Sequence, residues 1–458
     1  MRCKKIYTGF WLISIFFCLA IALSSCGSTK GIALGEDSDK EGFVHKKLSN
    51  AVPVIFKQNR GSKIVVFRLV FEGGNSVIDK SLSGIENITL DLALRGSEAH
   101  PYSEIQQLEY EKSFSFTSSS GKDYSTAGFI CIQRDLAEVF SIFADCIINP
   151  AFSEAEFEKQ MKDISMHIAS RKADPSGALG NAISKAAFTN HPYETTASVS
   201  EESFPNINLT MVRGLHQSLL NAMRLKIVVV GNFSSDLIDS FTKELENTFG
   251  QVARKAYSAP KIPKIPAVGE SVRVANEQAG DTGYIAGLYS CPRRTDSDYV
   301  PYAIASMYID DLLFAQVREK AGAVYSINTG VIGGKEMLGV LSVYKASEKK
   351  QLKKLINDAI LSFNEEEISK KIDQYKNKYM TSIFSSSQIS SGLASSIISS
   401  LEYHGSENAY LKRGRQIQDV EAKDVIAAYK KYFEPVARNN AVRWIIVDGK
   451  DNLSEYDF

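Results

Sequence analysis

The order of apolar segments predicts an α+β chain of two similar halves, and three features of the 458-residue sequence carry that prediction. The first is a break. Tyr257–Gly269 places Pro260, Pro263 and Pro266 at three-residue spacing, which makes a stiff, extended connector. The second is a repeat across that break. Ala127–Ile132 reads as a strand followed by a helix over Leu136–Ile147, and Gly339–Tyr344 reads as a strand followed by a helix over Leu352–Phe363. The third is a shared ending. Leu225–Val230 runs up to Gly231, and Val442–Val447 runs up to Asp448-Gly449, each as an apolar strand. Each half therefore reads strand–helix–strand–helix–helix–strand, an antiparallel sheet with helices over one face. We divide the chain into 46–256, a connector at 257–269, and 270–450. A hydrophobic content of 44% supplies two cores, as a single core seldom extends beyond about 250–300 residues. Formal net charge is zero and the aromatic content ordinary, so nothing points to nucleic acid.

At the N-terminus, Arg2, Lys4 and Lys5 precede an apolar run, Phe10–Leu23. That run is shorter than the ~20 residues a spanning helix needs. Leu23-Ser24-Ser25-Cys26 resembles a bacterial lipobox, in which the cysteine becomes the mature N-terminus and carries the lipids. Residues 1–25 are then a lipoprotein signal peptide and 26–45 a tether, polar over Gly27–Lys40. Acyl chains on Cys26 would hold the protein at a membrane surface without a spanning helix. This implies the bacterial cell envelope, at the periplasmic or outer-membrane face. An ordinary cleaved signal or a signal anchor is the alternative. Beyond Cys26 only Cys131, Cys146 and Cys291 remain, an odd and scattered set that makes neither a disulfide framework nor a zinc ribbon. Cys131 and Cys146 sit in apolar runs and read as core residues. A bridge between them is left open.

Further along, Lys63–Gly73 reads as a strand leading through a turn into a helix within Gly84–Ser97, GIENITLDLALRGS. Ile85, Ile88 and Leu92 form its apolar stripe. Asn87 and Asp91 stand four apart and share a face. This frame resembles the pitrilysin/insulinase family of zinc peptidases, which carry H-x-x-E-H on this helix. Here the three chemical positions read Asn87, Leu90 and Asp91. Two imidazoles one turn apart hold the zinc, and the intervening glutamate takes a proton from bound water. Leu90 cannot be a base, Asn87 is a weak neutral ligand, and Asp91 alone would not hold zinc tightly. In the family a later glutamate is the third ligand; the similar segment here, Phe157–Ile168, puts His167 at that position, or Met166 if shifted by one. No two of the six histidines (His45, His100, His167, His191, His216, His404) are three or four residues apart. We therefore expect no metal site on this chain. Asn87 and Asp91 would be ordinary polar helix residues, and an unorthodox site from Asp91 and His167 is the alternative.

Other stretches support the resemblance, which covers roughly Asn50 to Lys450. Asn149–Phe152 precedes the third-ligand helix, and His191-Pro192-Tyr193 is similar to the family's H-P-Y-G segment, with Glu194 in place of the glycine. Ser385–Ser400 looks like low complexity, yet Ile389, Leu393, Ile397 and Ile398 recur at helical spacing, so we read a packed helix. The charges of Glu348-Lys349-Lys350 with Lys353-Lys354 read as a solvated helix face.

Val317–Ser326, VREKAGAVYS, resembles the R-E-x-x-G-x-x-Y-S segment of the family's second domain. The resemblance implies that Arg318 and Tyr325 contact a bound peptide, with Gly322 ending the helix at positive φ and Ala323–Ile327 restarting a strand. A guanidinium offers a planar fork of donors, and a phenol can donate to a developing oxyanion. The family also implies two domains facing each other across a peptide chamber, where a peptide adds a strand to a sheet edge. With half of the site empty, the expected role is a non-catalytic, lipid-anchored subunit. It would bind a peptide or unfolded protein segment and complete a zinc metallopeptidase with an H-x-x-E-H partner, zinc entering only through that partner. A scaffold with no proteolytic role is the alternative, and an active metalloendopeptidase with unorthodox ligands comes third.

Overall fold

The computed structural model describes residues 42–267 and 269–458. Cys26, the signal segment and most of the tether lie outside the described residues. The first half builds a six-stranded sheet from β1 (Phe43–Lys47), β2 (Pro53–Gln58), β3 (Ile64–Glu72), β4 (Ser115–Ser120), β5 (Tyr124–Ile132) and β6 (Leu225–Gly231). The second half builds a five-stranded sheet from β7 (Val272–Ala275), β8 (Gly283–Ser290), β9 (Val324–Gly333), β10 (Met337–Ala346) and β11 (Arg443–Asp448). The helices of the first half are α1 (Ile85–Ala93), α2 (Tyr102–Lys112), α3 (Leu136–Ile148), α4 (Glu154–Ala173), α5 (Pro175–Phe188), α6 (Leu209–Leu219) and α7 (Ser235–Thr248). Those of the second are α8 (Tyr299–Leu313), α9 (Leu352–Leu361), α10 (Glu365–Ser387), α11 (Ser390–His404), α12 (Ala409–Asp419), α13 (Ala422–Ala428) and α14 (Glu434–Arg438).

The strand orders are β1-β2-β6-β3-β5-β4 and β7-β11-β8-β10-β9. Without β1 the two orders superimpose term by term, so the repeat seen in the sequence is a repeat of topology. Each sheet is antiparallel except for one parallel pair, β2 with β6 and β7 with β11. The sequence reading missed both openings of this pair, because β7 is only four residues long and follows the connector directly.

A pleated strand sends alternate side chains to opposite faces, and in β3 both sets are buried. Val65, Phe67, Leu69 and Phe71 pack under the helices of their own half, against Phe140 and Phe143 of α3 and Phe241 of α7. The opposite face carries Val66 and Val70, joined by Val228 and Val230 of β6. These are covered by Leu393, Ala394, Ile397 and Ile398 of α11, a helix from the second half. The arrangement is reciprocal. On the second sheet, Ile285, Leu341 and Trp444 face their own helices α8 and α9. Ala286, Leu288, Ile445 and Val447 face Leu179, Ala187 and Phe188 of α5, a helix from the first half. Helices thus cover both faces of each sheet, where the sequence pattern gave one.

Two local expectations change, and one open question closes. The Ser-rich stretch is the end of α10 and the start of α11, and Ile389 caps α11 exposed to solvent instead of joining the apolar stripe. Lys349 is buried, 3.6 Å from the wholly buried Asp448, and is no part of a solvated face. Cys131 and Cys146 are both buried and unbridged.

Because α11 completes the first sheet, unfolding of the two halves is coupled. From Cys26 onward Trp444 is the single tryptophan, and it reports on the second sheet. Ile397→Ala removes buried methylenes from the first, a change that costs about 2–5 kcal/mol. Urea titration followed by Trp444 fluorescence is expected to show an earlier midpoint in the variant. A wild-type midpoint at Trp444 would mean that the halves unfold independently.

Candidate functional site

Helix α1 starts at Gly84, whose φ of 88° is left-handed and whose missing Cβ would lie 2.5 Å from the Val199 backbone nitrogen. Only glycine fits that entry. Of the three chemical positions, Leu90 is 2% exposed and belongs to the core under the first sheet. Asn87 is half-buried. Asp91 is committed to a polar clamp between α1 and α4. It accepts hydrogen bonds from Arg95 (Nη2 at 2.9 Å, Nε at 3.2 Å) and from Nε2 of Gln160 at 2.7 Å. Arg95 also reaches Glu156 on α4 at 3.2 Å.

The residue of α4 that meets Asp91 is therefore Gln160, not His167. His167 and Met166 are exposed, and His167 stands seven residues further along, about 10 Å of helix rise. Gln160 was missed in the sequence although a signal existed. It falls on the face of α4 that carries Phe157, Ile164 and Ile168 toward α1, and a polar residue on an apolar face needs a polar partner. Among the described residues no group of three His, Cys, Asp or Glu is placed to hold a metal ion. The residues present do not fit zinc. One has its side chain in the core, and the carboxylate is already hydrogen-bonded on both sides of the helix pair.

Glu86, beside Asn87, was also missed. It is wholly buried, and neither carboxylate oxygen has a hydrogen-bond partner. Burial pushes its carboxyl above the usual range, against the opposing pull of the Arg224 guanidinium.

The second candidate pair, Arg318 and Tyr325, lies at the junction of α8 and β9. Helix α8 continues into a π-helical turn, Phe314–Lys320, which carries Arg318. Gly322 has a φ of 60°, and β9 starts at Val324. The Arg318 guanidinium lies 4.8 Å from the centre of the Phe314 ring and 5.9 Å from that of Tyr325. Its carboxylate neighbour is Glu319, 3.7 Å away and exposed, a contact worth little. Tyr325 is 65% exposed and its hydroxyl makes no hydrogen bond to the described residues. The ring packs edge-on against Tyr344 at 6.0 Å, and Tyr344 against Tyr284 at 5.0 Å. Arg318 and Tyr325 border β9, the edge strand of the second sheet, with Tyr344 on the neighbouring β10 and Tyr284 on β8. The patch thus offers a guanidinium, a free phenol, aromatic surface and unpaired strand groups within one small area.

Residues 53–199 match the family profile described as insulinase (peptidase family M16), and residues 206–379 match one described as peptidase M16 inactive domain. A Bacillus subtilis protein named as the uncharacterized zinc protease YmxG is 21% identical over 326 residues, 70% of this chain and 78% of that protein. A Helicobacter pylori protein named as a non-peptidase homolog is 23% identical over 222 residues, 48% of this chain and 50% of its own length. Among solved structures, a peptidase M16 inactive domain from Pseudomonas fluorescens has a TM-score of 0.75 at 17% identity, covering 89% of this chain and 98% of that one. The periplasmic protease PqqL from Escherichia coli has a TM-score of 0.75 at 13% identity, covering 90% of this chain and 46% of that one. At these identities the structural likeness shows the fold alone.

The orphan carboxyl gives a pH dependence whose sign is fixed. A carboxyl raised in the folded state binds more protons there than in the unfolded chain, so stability falls as pH rises above the unfolded value of about 4.3. Glu86→Gln keeps the shape and removes the titration. Relative to wild type, the variant is expected to gain stability as pH rises from 4 toward 8, read by urea unfolding. A constant difference between the two proteins over that range would refute the assignment.

Proposed function

The chain belongs to the M16 (insulinase) peptidase family, and from that premise we propose that it is a non-catalytic member that binds peptide and completes a zinc metallopeptidase formed with an H-x-x-E-H partner chain. The observation that carries this reading is the contrast between the two candidate sites. At α1 the chemistry is closed, with Leu90 in the core and Asp91 held by Arg95 and Gln160. At β9 the contacts stay open, with an exposed Tyr325 beside a half-buried Arg318. A chain that served only as a scaffold would have no use for an exposed phenol beside a guanidinium whose one carboxylate contact is a weak surface pair. The printed description of the Helicobacter pylori relative, non-peptidase homolog, agrees with the closed site.

Purified alone, the chain is expected to contain no stoichiometric zinc and to cleave no peptide. A chelator-sensitive activity that copurifies with the chain and disappears in Asp91→Ala would restore the reading of an active enzyme with unorthodox ligands. For the open site, Tyr325→Phe removes one hydroxyl and Arg318→Lys keeps the charge while losing the fork. Removing an oxyanion-type donor costs about 10²–10³ in turnover. A supporting contact from a partner chain is expected to cost less, yet measurably, in complexes reconstituted with an H-x-x-E-H homologue and checked by gel filtration. Wild-type turnover in both variants would hand the lead to the scaffold reading.

The place of action we propose is the periplasmic side of a bacterial envelope, with lipid on Cys26. The basic start, the short apolar run and Leu23–Cys26 support it. Among the described residues no helix is long and apolar enough to cross a membrane. Cys26→Ser is expected to leave the precursor uncleaved and unlabelled by radioactive fatty acid. Processing and distribution identical to wild type would remove the lipid from this account.

A further inference from the structure

In the second half, the turn between β8 and α8 gathers cations whose partners differ sharply. Arg293 is neutralised by Asp296 at 3.0 Å and Glu336 at 3.6 Å, and Lys431 by Asp298 at 2.7 Å. Arg294 and Arg413 have no carboxylate partner among the described residues. Arg294 donates from Nη1 to the Tyr299 hydroxyl at 3.1 Å, and its guanidinium lies over the rings of Tyr299 and Tyr403 at 6.0 and 5.4 Å. Its Nε is buried with no hydrogen-bond partner. Arg413 lies over the same Tyr299 ring at 5.2 Å and meets Nε2 of His404 at 3.4 Å. Burial and these two guanidiniums hold His404 below its ordinary value, which favours the neutral imidazole and adds no third cation. All three side chains line a pocket of about 570 Å³, a size suited to a small ligand. Its other carboxylates are occupied or solvated. Asp424 accepts from the Glu421 backbone at the start of α13, and Asp419 is exposed.

Two guanidiniums sharing one aromatic ring repel each other, and partly buried charge is costly unless it is paired. What pairs best with a guanidinium fork is a carboxylate or phosphate. The pocket also sits at the start of α8, which occupies in the second half the place α1 occupies in the first. We propose that this pocket binds the carboxylate or phosphate group of a small ligand, with Arg294 and Arg413 as its counter-ions and Tyr299 as their common platform. The group could be supplied by the free C-terminus of a peptide or by phosphate itself. The first source rests on the peptide-binding reading above, and the second does not.

Isothermal titration of the chain from Cys26 onward with three probes separates them: inorganic phosphate, a short peptide with a free C-terminal carboxylate, and the same peptide amidated. At least one oxyanion probe is expected to bind, and Arg294→Gln or Arg413→Gln to weaken it about tenfold or more. Preference for the free over the amidated peptide identifies the peptide terminus, and binding of phosphate alone identifies the free ion. Equal binding of every probe by wild type and both variants overturns the proposal, and an amidated peptide that still binds leaves the peptide-binding reading intact. Should the glutamine variants fail to fold, hydrogen exchange on the wild-type chain decides. Oxyanion-dependent protection of residues 294–301 and 404–416 supports the site, and unchanged exchange there refutes it.

Discussion

A β-sheet that is apolar on both faces must find two covers, and neither half of this chain supplies both for itself. Own-half helices cover the inner set of each sheet. The outer set of the first waits for α11 and that of the second for α5. This exchange fixes how the halves sit, and smaller contacts follow from it. Lys226 on β6 is paired with the buried Glu402 of α11 at 2.5 Å. The β9–β10 turn meets the first half through Lys335, whose backbone nitrogen donates to Asp123 at 2.8 Å and to the Tyr193 hydroxyl at 2.9 Å. His191 reaches the connector at the Pro263 carbonyl, 2.8 Å away. The segment read as H-P-Y in the sequence is thus a seam between the halves.

Against that frame the two candidate sites have moved in opposite physical directions. At α1 a position that would carry a buried charge carries Leu90, and burying a leucine side chain contributes about 1.5–3 kcal/mol. Asp91 has become half of a helix-to-helix clamp. Such changes make α1 a better structural element. At the other site nothing has been closed. A π-helical turn, a feature that often marks functional positions, still presents Arg318, and Tyr325 still projects from an edge strand. Glu86 shows a remaining tension on α1, a carboxyl buried without a partner one residue from the altered positions.

Much of this was legible in the residues. Apolar runs located β3, β5, β6, β10 and β11 because those strands are buried on both faces and read as continuous hydrophobic segments. The same property concealed the second cover, since a run with no alternation does not say which helix lies on which face. Gly322 and the strand after it were readable because a helix end has a local signature. The Tyr344 ring was not, because it takes its meaning from rings on other strands; the burial of Glu86 depends on elements packed over it from elsewhere in the chain, and the signal at Gln160, a polar residue on an apolar face, did not name its partner. Ile389 followed helical spacing and is nevertheless exposed, since the helix it was assigned to breaks just before it. Lys349 was misread for a related reason: its partner Asp448 lies at the end of β11, remote in sequence.

The helix exchange has a consequence for how the chain is made. Ribosomes deliver the N-terminal half first, yet the outer face of its sheet is not sealed until residues 393–398 have emerged. Through most of synthesis Val66, Val70, Val228 and Val230 are a bare apolar surface, the kind of transient exposure that invites aggregation. The contacts that close it reach back more than three hundred residues to Val66 and Val70 and more than one hundred and sixty to Val228 and Val230, which makes the final docking step slow in the way long-range pairings are slow. A nascent chain of this design depends on being kept unfolded or shielded until its last quarter arrives, and truncation late in translation leaves an adhesive fragment instead of a smaller folded protein.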